Sequence, residues 1–442
     1  MNGEQGWPRF DYRPRQFFID MNSFFTSCEQ QECAEHRNRP TIVVPMLADT
    51  TCALAASYEA KAYGIKTGTG VKQARELCPH LHIVEARPRV YLQYNARILE
   101  ILNDHFATVR ALSIDEMACR MPHIYVTEEH ERAAAARVKA QIRSELGPAM
   151  RCSIGIAPNI FLAKVASDCM KPDGLTLWNE RNLPDALFPL PIQALPGIGK
   201  GVKSRLSQHA IFSTQQLWNC SRDELRRAWG SVTGAQWWYM LRGSSQLDYA
   251  PSRQAGDIRR SVSHSHVLGP ENRTCEAAIR ILLELSEKAL KRIRTYGQAA
   301  RSVSLTIRFR RKPDTASRTR SGYAQLRERE SAWNESARVH NPASDDLTWM
   351  QILRPLVSQV PDCAEESIPI SVGIVYADLI DVTDVNLSLF EDTVERQNLA
   401  AAVDVLNKKY KGAVALGTLS KGRQVPLRIP FGTPEQPTVH PY

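Results

Sequence analysis

The chain has 442 residues, and its 56 Lys and Arg against 47 Asp and Glu give a net charge of +9. A chain of this length is too long for one hydrophobic core and predicts about three domains. The positive charge indicates either a polyanionic partner or, equally well, a generic basic surface. No run of about 18 apolar residues occurs, and the N-terminus lacks a basic segment followed by an apolar stretch and a cleavage site, which argues against membrane spanning and secretion.

The ten cysteines include no Cys-x-x-Cys pair and no Cys/His cluster at zinc spacing. Several lie in apolar runs, as Cys119 and Cys152 do. The pattern predicts reduced core thiols and therefore a cytoplasmic protein.

The first part of the chain alternates short β-rich runs with helical segments. Strands are predicted at residues 16–25, 41–45, 109–121 (a strand pair) and 152–157, and helices at residues 54–63, 71–77, 90–106, 131–146 and 159–169. This order predicts an antiparallel or mixed sheet with helices on one face.

Prolines at 189, 191 and 196 precede a Trp-rich helical block at residues 202–242, and a polar tether follows at residues 248–257. A final α/β unit is predicted from strands at 260–268, 302–309 and 368–379 and helices at 275–295 and 348–360. The intervening residues 312–346 are long, polar and basic, and we expect their middle to be disordered.

Three acids stand in strand-like runs, Asp20 in the first and the adjacent Asp115 and Glu116 in a later one. An unpaired carboxylate in an apolar setting is costly, so such acids usually bind a cation or pair with a base. Adjacent acids on a strand face opposite ways, so they can share a metal only where the strand ends or twists. The alternative is that Asp115 and Glu116 mark an exposed hairpin turn and that Asp20 caps a helix beginning at Met21.

These acids have the oxygen ligands that Mg²⁺ prefers, and the backbone carbonyl of Met21 would add another. Two such ions would serve phosphoryl transfer.

Six short motifs occur in the order found in Y-family DNA polymerases: FIDMNSFF (18–25), SYEAKAYG (57–64), SIDE (113–116), SIGIA (153–157) with LAKVASD (162–168), and LPGIG (195–199). The chain resembles the lesion-bypass enzymes of this family, of the polymerase IV and polymerase V kind, over nearly its whole length. The resemblance implies an α/β (α+β) multidomain, right-hand polymerase with palm (1–23 and 85–180), fingers (24–84), helical thumb (181–247), linker (248–259), little finger (260–383) and a C-terminal tail (384–442).

The resemblance also implies roles for single residues. Asp20, Asp115 and Glu116 are the catalytic acids and, with Met21, hold two Mg²⁺ ions. Phe25 matches the steric gate that excludes a ribose 2′-hydroxyl, although ordinary core packing is the alternative and Phe24 beside it would suit either role. The nucleotide-binding positions are matched by Phe24, Phe25, Tyr58, Lys61 and Lys171.

This chain departs from the family pattern at several of these motifs. Lys61 stands where the family commonly has Arg, so a point charge replaces bidentate phosphate binding. Asn22 replaces a frequent Asp, and Thr69-Gly70 replaces a frequent Met-Pro. These changes leave the metal ligands intact and the template and lesion preference open.

DNA contacts are expected in two places. LPGIG with Lys200 fits a helix-hairpin-helix in which Gly197 and Gly199 let backbone N–H groups approach a phosphate, the alternative being a plain glycine turn. Residues 301–330 carry an excess of basic side chains. Arginines of the presumed little finger are expected to bind the duplex backbone, although each could be a solvated charge instead: Arg259, Arg260, Arg308, Arg310 and Arg311.

NLSLF at residues 386–390 resembles the short peptide with which such polymerases bind the sliding clamp. Its anchors would be Asn386, which stands where Gln is usual, Leu387, Leu389 and Phe390, the alternative being a buried strand. An amphipathic stripe of Leu399, Val403, Leu406 and Tyr410 follows, and this tail resembles polymerase V more than polymerase IV.

The sequence thus predicts a Mg²⁺-dependent, template-directed DNA polymerase of low fidelity that acts in DNA damage tolerance. Its predicted partners are primer-template DNA, dNTPs, the sliding clamp and accessory mutagenesis subunits. One alternative is a catalytically silent scaffold that binds DNA and the clamp, although such relatives lose the acidic triad. The other is a nucleotide cyclase, which would have no use for a helix-hairpin-helix.

Overall fold

The computed structural model describes residues 16–49, 51–122, 127–245, 248, 259–311, 330–361, 367–385 and 393–410. The described residues up to 248 belong to one compact unit and those from 259 to 410 to a second. The predicted linker and the other domain boundaries stay predictions. None of the helices described in these ranges is long and apolar enough to cross a membrane.

The first unit is an α/β arrangement followed by a run of helices. Its strands are β1 (Gln16–Met21), β2 (Thr41–Val44), β3 (Ala55–Ala56), β4 (His82–Glu85), β5 (Val109–Ala111), β6 (Glu116–Arg120), β7 (Cys152–Ala157) and β8 (Leu175–Leu177). Its helices are α1 (Phe24–Glu32), α2 (Tyr58–Ala62), α3 (Val71–Leu77), α4 (Pro88–His105), α5 (Glu128–Leu146), α6 (Ile160–Cys169), α7 (Lys200–Gln208), α8 (Thr214–Asn219), α9 (Arg222–Trp229) and α10 (Val232–Leu241).

The main sheet has the order β5-β6-β1-β7-β8, with β1 antiparallel to both neighbours. Phe17 and Ile19 pack in one core with residues of α1, α4 and α5, whereas Phe18 packs in another with residues of α6. Helices therefore cover both faces, and the prediction of helices on one face is wrong. Because β1 is apolar at consecutive positions, it has no polar face to present to water.

A smaller sheet, β3-β2-β4, has its own core with α2 and α3. The helix predicted at residues 54–63 is shorter than expected, because Ala55 and Ala56 form β3 against β2. Ser57 caps α2 by accepting a hydrogen bond from the N–H of Ala60, which fixes where the helix begins.

Helices α7 to α10 form the predicted helical block. Capping boxes at Ser213 and Ser221 begin α8 and α9. In α10, a Cβ on Gly234 would lie 2.0 Å from the carbonyl oxygen of Leu225, so glycine is required for this helix to cross α9. Trp229 and Trp237 pack together in the core at a ring-centroid distance of 5.1 Å.

The second unit is an antiparallel sheet with helices on one face. Its elements are β9 (Ser261–Val267), α11 (Cys275–Thr295), β10 (Gln298–Arg311), β11 (Glu330–Ala343), α12 (Asp346–Val357), β12 (Ser367–Ala377), β13 (Ile380–Asp381) and α13 (Thr393–Lys409). The order is β11-β10-β12-β9, and residues of α11 and α12 complete the core.

Two expectations for this unit need correction, and a third is confirmed. We predicted no strand within residues 312–346, yet β11 pairs along β10 from Glu330 onwards. Its outer position in the sheet lets its residues be largely polar, so hydrophobic alternation gave little signal.

Cys275 is disulfide-bonded, so the expectation that every cysteine is a thiol is wrong, although Cys119 and Cys152 are buried thiols as predicted. The amphipathic stripe near residue 400 does lie on a helix, α13.

The second unit also contains a glutamate whose pKa is raised by its surroundings. Burial, followed by the negative charges of Asp346 and Glu284, raises the pKa of Glu287 on α11 to about 7. Because the folded state binds this proton more tightly than the unfolded state, the contribution of Glu287 to stability falls as pH rises from about 4.5 through 7.

Glu287→Gln is therefore expected to raise the free energy of unfolding by about 1 kcal/mol or more at pH 8 and by much less at pH 5. Urea unfolding of the full chain at both pH values measures this. Glu276→Gln, an exposed position on the same helix, is the control and should show no such pH dependence. Equal effects of Glu287→Gln at both pH values would contradict the prediction.

Candidate active site

The pairing of β1 with β6 brings the three predicted acids together. Asp20 lies opposite Glu116 in the ladder, and the N–H of Met21 donates to the carbonyl of Asp115 at 2.9 Å. Strand β6 begins at Glu116, so Asp115 lies in the turn before it. Because the strand ends at these two acids, both can contribute to one site. Asp20 lies within β1, and α1 begins only at Phe24, so the alternative of a helix cap at Asp20 is wrong.

Ser113 shapes the turn that carries the two adjacent acids. Its hydroxyl donates to Oδ1 of Asp115 at 2.6 Å and accepts from the N–H of Glu116 at 3.0 Å. The carbonyl of Ile114 accepts from the buried amide of Asn95 at 2.8 Å. The backbone of the SIDE motif is thus held by its own serine and by α4.

Two lysines from outside the acidic runs neutralise these carboxylates. Nζ of Lys164 lies 2.5 Å from Asp20, 2.9 Å from Glu116 and 3.1 Å from Asp168. Nζ of Lys171 lies 2.8 Å from both Asp20 and Asp168. Because one ammonium contacts both Asp20 and Glu116, the carboxylates of β1 and β6 are close neighbours.

The titration behaviour of the groups agrees with this crowding. Burial raises the pKa of Asp115, and the negative charges of Asp20 and Glu116 raise it further, against a hydrogen bond from Ser113 that lowers it. Burial lowers the pKa of Lys164, but Asp20 and Asp168 outweigh it and leave the pKa raised. The acids therefore create a position that favours a positive charge.

The donor chemistry of the acids fits a divalent cation. Among the described residues, no group of three His, Cys, Asp or Glu side chains is close enough to hold a metal ion. Lys164 and Lys171 contact Asp20, and the Ser113 hydroxyl donates to Asp115. Carboxylate oxygens are nevertheless the ligands that Mg²⁺ takes in nucleotide-processing sites, and the position between Asp20 and Glu116 already holds a cationic group. Asp20, Asp115 and Glu116 therefore suit such an ion.

The structure distinguishes the two adjacent phenylalanines. Phe24 is 3% exposed and belongs to the core, whereas Phe25 is partly exposed and packs against that core. The ring of Phe25 stacks on Tyr91 of α4, with centroids 4.5 Å apart and an interplanar angle of 21°. Of the pair, Phe25 has the accessible ring.

Tyr58 and Lys61 of α2, which the sequence predicts to bind the nucleotide, lie near one another and near the acidic site. Nζ of Lys61 is 2.7 Å from the hydroxyl of Ser23 and 4.2 Å from the ring centroid of Tyr58. Burial lowers the pKa of Lys61, and so does the charge of Lys171, while Asp20 raises it. Lys61 and Lys171 are therefore close enough for the charge of one to affect the pKa of the other.

Lys164 and Asp168 are site residues that the sequence analysis did not single out. They are four residues apart on α6, and Lys171 follows three residues later. Positions spaced by four and seven residues share one face of a helix, so this periodicity within and just after LAKVASD was a usable signal.

The predicted DNA contacts of the helical block lie in a tight turn before α7. Gly197 has φ of 100°, a conformation that favours glycine, and a Cβ there would lie 3.2 Å from the ring of Trp237. Gly199 is the N-cap residue of α7, and Lys200 is exposed on its first turn. This geometry suits a helix-hairpin-helix.

In the second unit, the arginines of β10 alternate with its core residues. Leu305, Ile307 and Phe309 are buried against the helices, so Arg308 and Arg310 belong to the opposite face of the sheet. Arg260 is exposed, and the guanidinium of Arg259 lies 3.9 Å from the ring centroid of Tyr296. The side chain of Arg311 and the clamp-peptide residues 386–390 lie outside the described residues.

Comparison with known proteins covers most of the chain. The impB/mucB/samB family profile matches residues 19–168, the profile of its C-terminal domain matches residues 259–389, and a profile described as the DNA polymerase-iota thumb domain matches residues 193–244. A DNA polymerase IV of Pelotomaculum thermopropionicum is 30% identical over 88% of this chain and 91% of its own length. A DNA polymerase IV of Moorella thermoacetica is 35% identical over 65% of this chain and 72% of its own.

Among solved structures, a Y-family DNA polymerase chimera of Dbh and Dpo4 matches 83% of this chain and 99% of its own, with a TM-score of 0.66 and 19% identity. These relatives and the family profile define a DNA-directed DNA polymerase, and the fold is that of polymerases with palm, fingers, thumb and little-finger domains. The chain belongs to the Y family of these polymerases, as its motifs predicted.

Proposed function

We propose that this polymerase carries out translesion synthesis, adding dNTPs to a primer 3′-hydroxyl opposite damaged template bases, with low fidelity and in the cytoplasm. The observation that carries the proposal is the junction of β1 and β6, which brings Asp20, Asp115 and Glu116 together and where two lysine ammonium groups contact Asp20 and one of them also contacts Glu116. A site that holds positive charges at the end of a strand is suited to binding a triphosphate.

In the proposed reaction the primer 3′-oxygen forms a bond to the α-phosphorus of the dNTP, and the bond to pyrophosphate breaks. Asp20, Asp115, Glu116 and the Met21 carbonyl would hold the metal ions. When bound, a pair of Mg²⁺ ions supplies Lewis acidity to the attacking and leaving oxygens.

The basic side chains beside the acids are assigned to the triphosphate. Lys171 and Lys61, with the hydroxyl of Tyr58, would contact its phosphates, and Phe25 would lie against its sugar. Lys164, already within 3.1 Å of three carboxylates, would keep the acids oriented between turnovers.

Contacts to the DNA backbone are assigned to both units. The turn at Gly197 and Gly199, with Lys200, would bind one phosphate through backbone N–H groups and a charge. The solvent face of β10, with Arg308 and Arg310, and the nearby Arg259, Arg260 and Arg311 would bind further phosphates. Binding through such contacts should weaken steeply with salt.

A primer-extension assay tests the proposal directly. The purified chain, Mg²⁺ and all four dNTPs should extend a primer on an undamaged template and past an abasic site, and the product should follow the template. Binding of primer-template DNA without any extension would instead support the catalytically silent scaffold.

The sliding clamp and accessory mutagenesis subunits are proposed as partners from the tail sequence. Replacing Leu387, Leu389 and Phe390 by alanine is expected to abolish stimulation by the clamp, a loss of about tenfold or more, because these apolar anchors would fill its groove. Extension measured with and without clamp reports this.

The control for the clamp experiment replaces two exposed leucines elsewhere in the tail. Leu399→Ala/Leu406→Ala changes side chains that are 53% and 42% exposed on α13 and should leave stimulation intact. Stimulation that survives in the triple variant would show that NLSLF is not the clamp peptide.

A further inference from the structure

An ion pair between a buried carboxylate and a partly exposed arginine adjoins Tyr91, the residue whose ring stacks on Phe25. Glu29 of α1 is 1% exposed, and its carboxylate accepts from Nε of Arg87 at 3.1 and 3.0 Å and also from Nη2 of that residue. The phenol of Tyr91 donates to the same carboxylate at 2.7 Å. The backbone N–H of Arg87 donates back to the phenol oxygen at 3.1 Å.

These contacts fix the phenol of Tyr91 from two sides. Its hydrogen is committed to Glu29 and its oxygen accepts from Arg87, so rotation or tilt of the ring would break at least one bond in a buried setting. Burial and the hydrogen bond with Glu29 raise the pKa of this phenol, which keeps it in the donating form.

The fixed ring of Tyr91 in turn supports Phe25. The two rings stack nearly parallel at 4.5 Å, while Phe24 contacts Phe25 less closely, at 5.9 Å and 47°. Phe25 and Glu29 are four residues apart on one face of α1, so Tyr91 of α4 meets both.

Stability alone does not account for this arrangement. The Glu29 carboxylate loses its hydration on burial while the Arg87 side chain stays 45% exposed, and an apolar residue at a buried position commonly stabilises a core as well or better. A hydrogen-bonded pair instead specifies one geometry for the ring that it holds, and sub-ångström placement is what a steric test of a substrate requires.

We propose that Glu29 and Arg87 are positioning residues for sugar selection, acting through Tyr91 to hold Phe25 against the 2′-position of the incoming nucleotide. The inference rests on the proposed function of Phe25 as the gate. It adds a rigid support, which would keep the Phe25 ring from moving aside when a ribose 2′-hydroxyl is present.

The test compares two tyrosine variants on the same pair of helices. Tyr91→Phe keeps the stacked ring and removes the hydroxyl, and it is expected to lower the ratio of dNTP to rNTP insertion efficiency about fivefold. Tyr94→Phe is the matched control, because Tyr94 of α4 donates to Glu32 of α1 at 2.8 Å but has no stacking contact with Phe25 among the described ring pairs. Its ratio should equal that of the wild type.

Variants of Glu29 separate positioning from general stability. Glu29→Gln keeps an acceptor for Tyr91 and should retain most of the selectivity, whereas Glu29→Ala should lose as much as Tyr91→Phe. If Glu29→Ala does not fold, Tyr91→Phe and Tyr94→Phe still decide the question.

The outcomes distinguish this inference from the proposal on which it rests. Insertion efficiencies of dNTP and rNTP that fall together in Tyr91→Phe, with a constant ratio, would overturn the positioning role while leaving the polymerase and the gate standing. A wild type that extends no primer removes the proposed function, and a Phe25→Ala variant with wild-type selectivity removes the gate.

Discussion

Replacing both Asp115 and Glu116 by alanine is expected to lower the rate of primer extension at least about a thousandfold while leaving DNA binding intact. The substitution removes two of the three carboxylates at the β1–β6 junction and leaves Lys164 with Asp20 and Asp168 as its remaining carboxylate partners. Of the four proposed metal ligands only Asp20 and the Met21 carbonyl would then remain, and the negative potential that attracts a divalent cation would be much weaker. Single-turnover extension over a range of Mg²⁺ concentrations measures the loss.

The chain offers a matched pair of adjacent acids as a control. Glu128 and Glu129 are exposed in the first turn of α5, where Glu128 pairs with Arg132 at 2.7 Å. Glu128→Ala/Glu129→Ala removes the same charge and should extend primers at close to the wild-type rate. Extension by the Asp115/Glu116 variant within about tenfold of the wild type would mean that catalysis does not depend on this junction, and the proposed mechanism would have to be abandoned.

Local signals were sufficient for several elements of the fold. Helix α3 and helix α11 have the bounds that the sequence predicts, and so does strand β7. Each combines a clear apolar period with a change of composition at its ends, so the information is contained within a short segment.

Features that depend on distant pairing could not be predicted in the same way. The contact of Lys164 with Asp20 joins residues 144 positions apart, and it exists because α6 packs on the face of the sheet that displays Phe18. The sequence shows which residues on α6 share a face but not which face of the sheet receives them. For the same reason β11 was missed, since its pairing with β10 supplies what its own polar sequence does not indicate.

Some residues of the site could be predicted from local sequence, and others depend on the packing of distant elements. The motifs brought Asp20, Asp115 and Glu116 forward because acids in apolar strands are chemically conspicuous. The support of Phe25 by Tyr91, Arg87 and Glu29 was not visible, because each of these residues is unremarkable in its own segment and acquires meaning only when α1 packs against α4.

Phe25→Ala is expected to raise rNTP insertion relative to dNTP insertion about 100-fold, which corresponds to about 2.7 kcal/mol of lost discrimination. In its proposed role the ring would exclude a 2′-hydroxyl only by occupying its space, so removing the ring would remove this repulsion and little else from the proposed nucleotide site. Phe25 also packs on the core, and the variant should therefore unfold with about 1–3 kcal/mol less free energy. Insertion efficiencies of one dNTP and its rNTP counterpart, measured well below the melting temperature, separate the two effects.

Phe212→Ala, at a phenylalanine that is 62% exposed before α8, is the control for loss of an aromatic ring and should keep the wild-type ratio. If Phe25→Ala keeps that ratio as well, sugar selection must come from another part of the site, and the stacked pair of Phe25 and Tyr91 would be structural only.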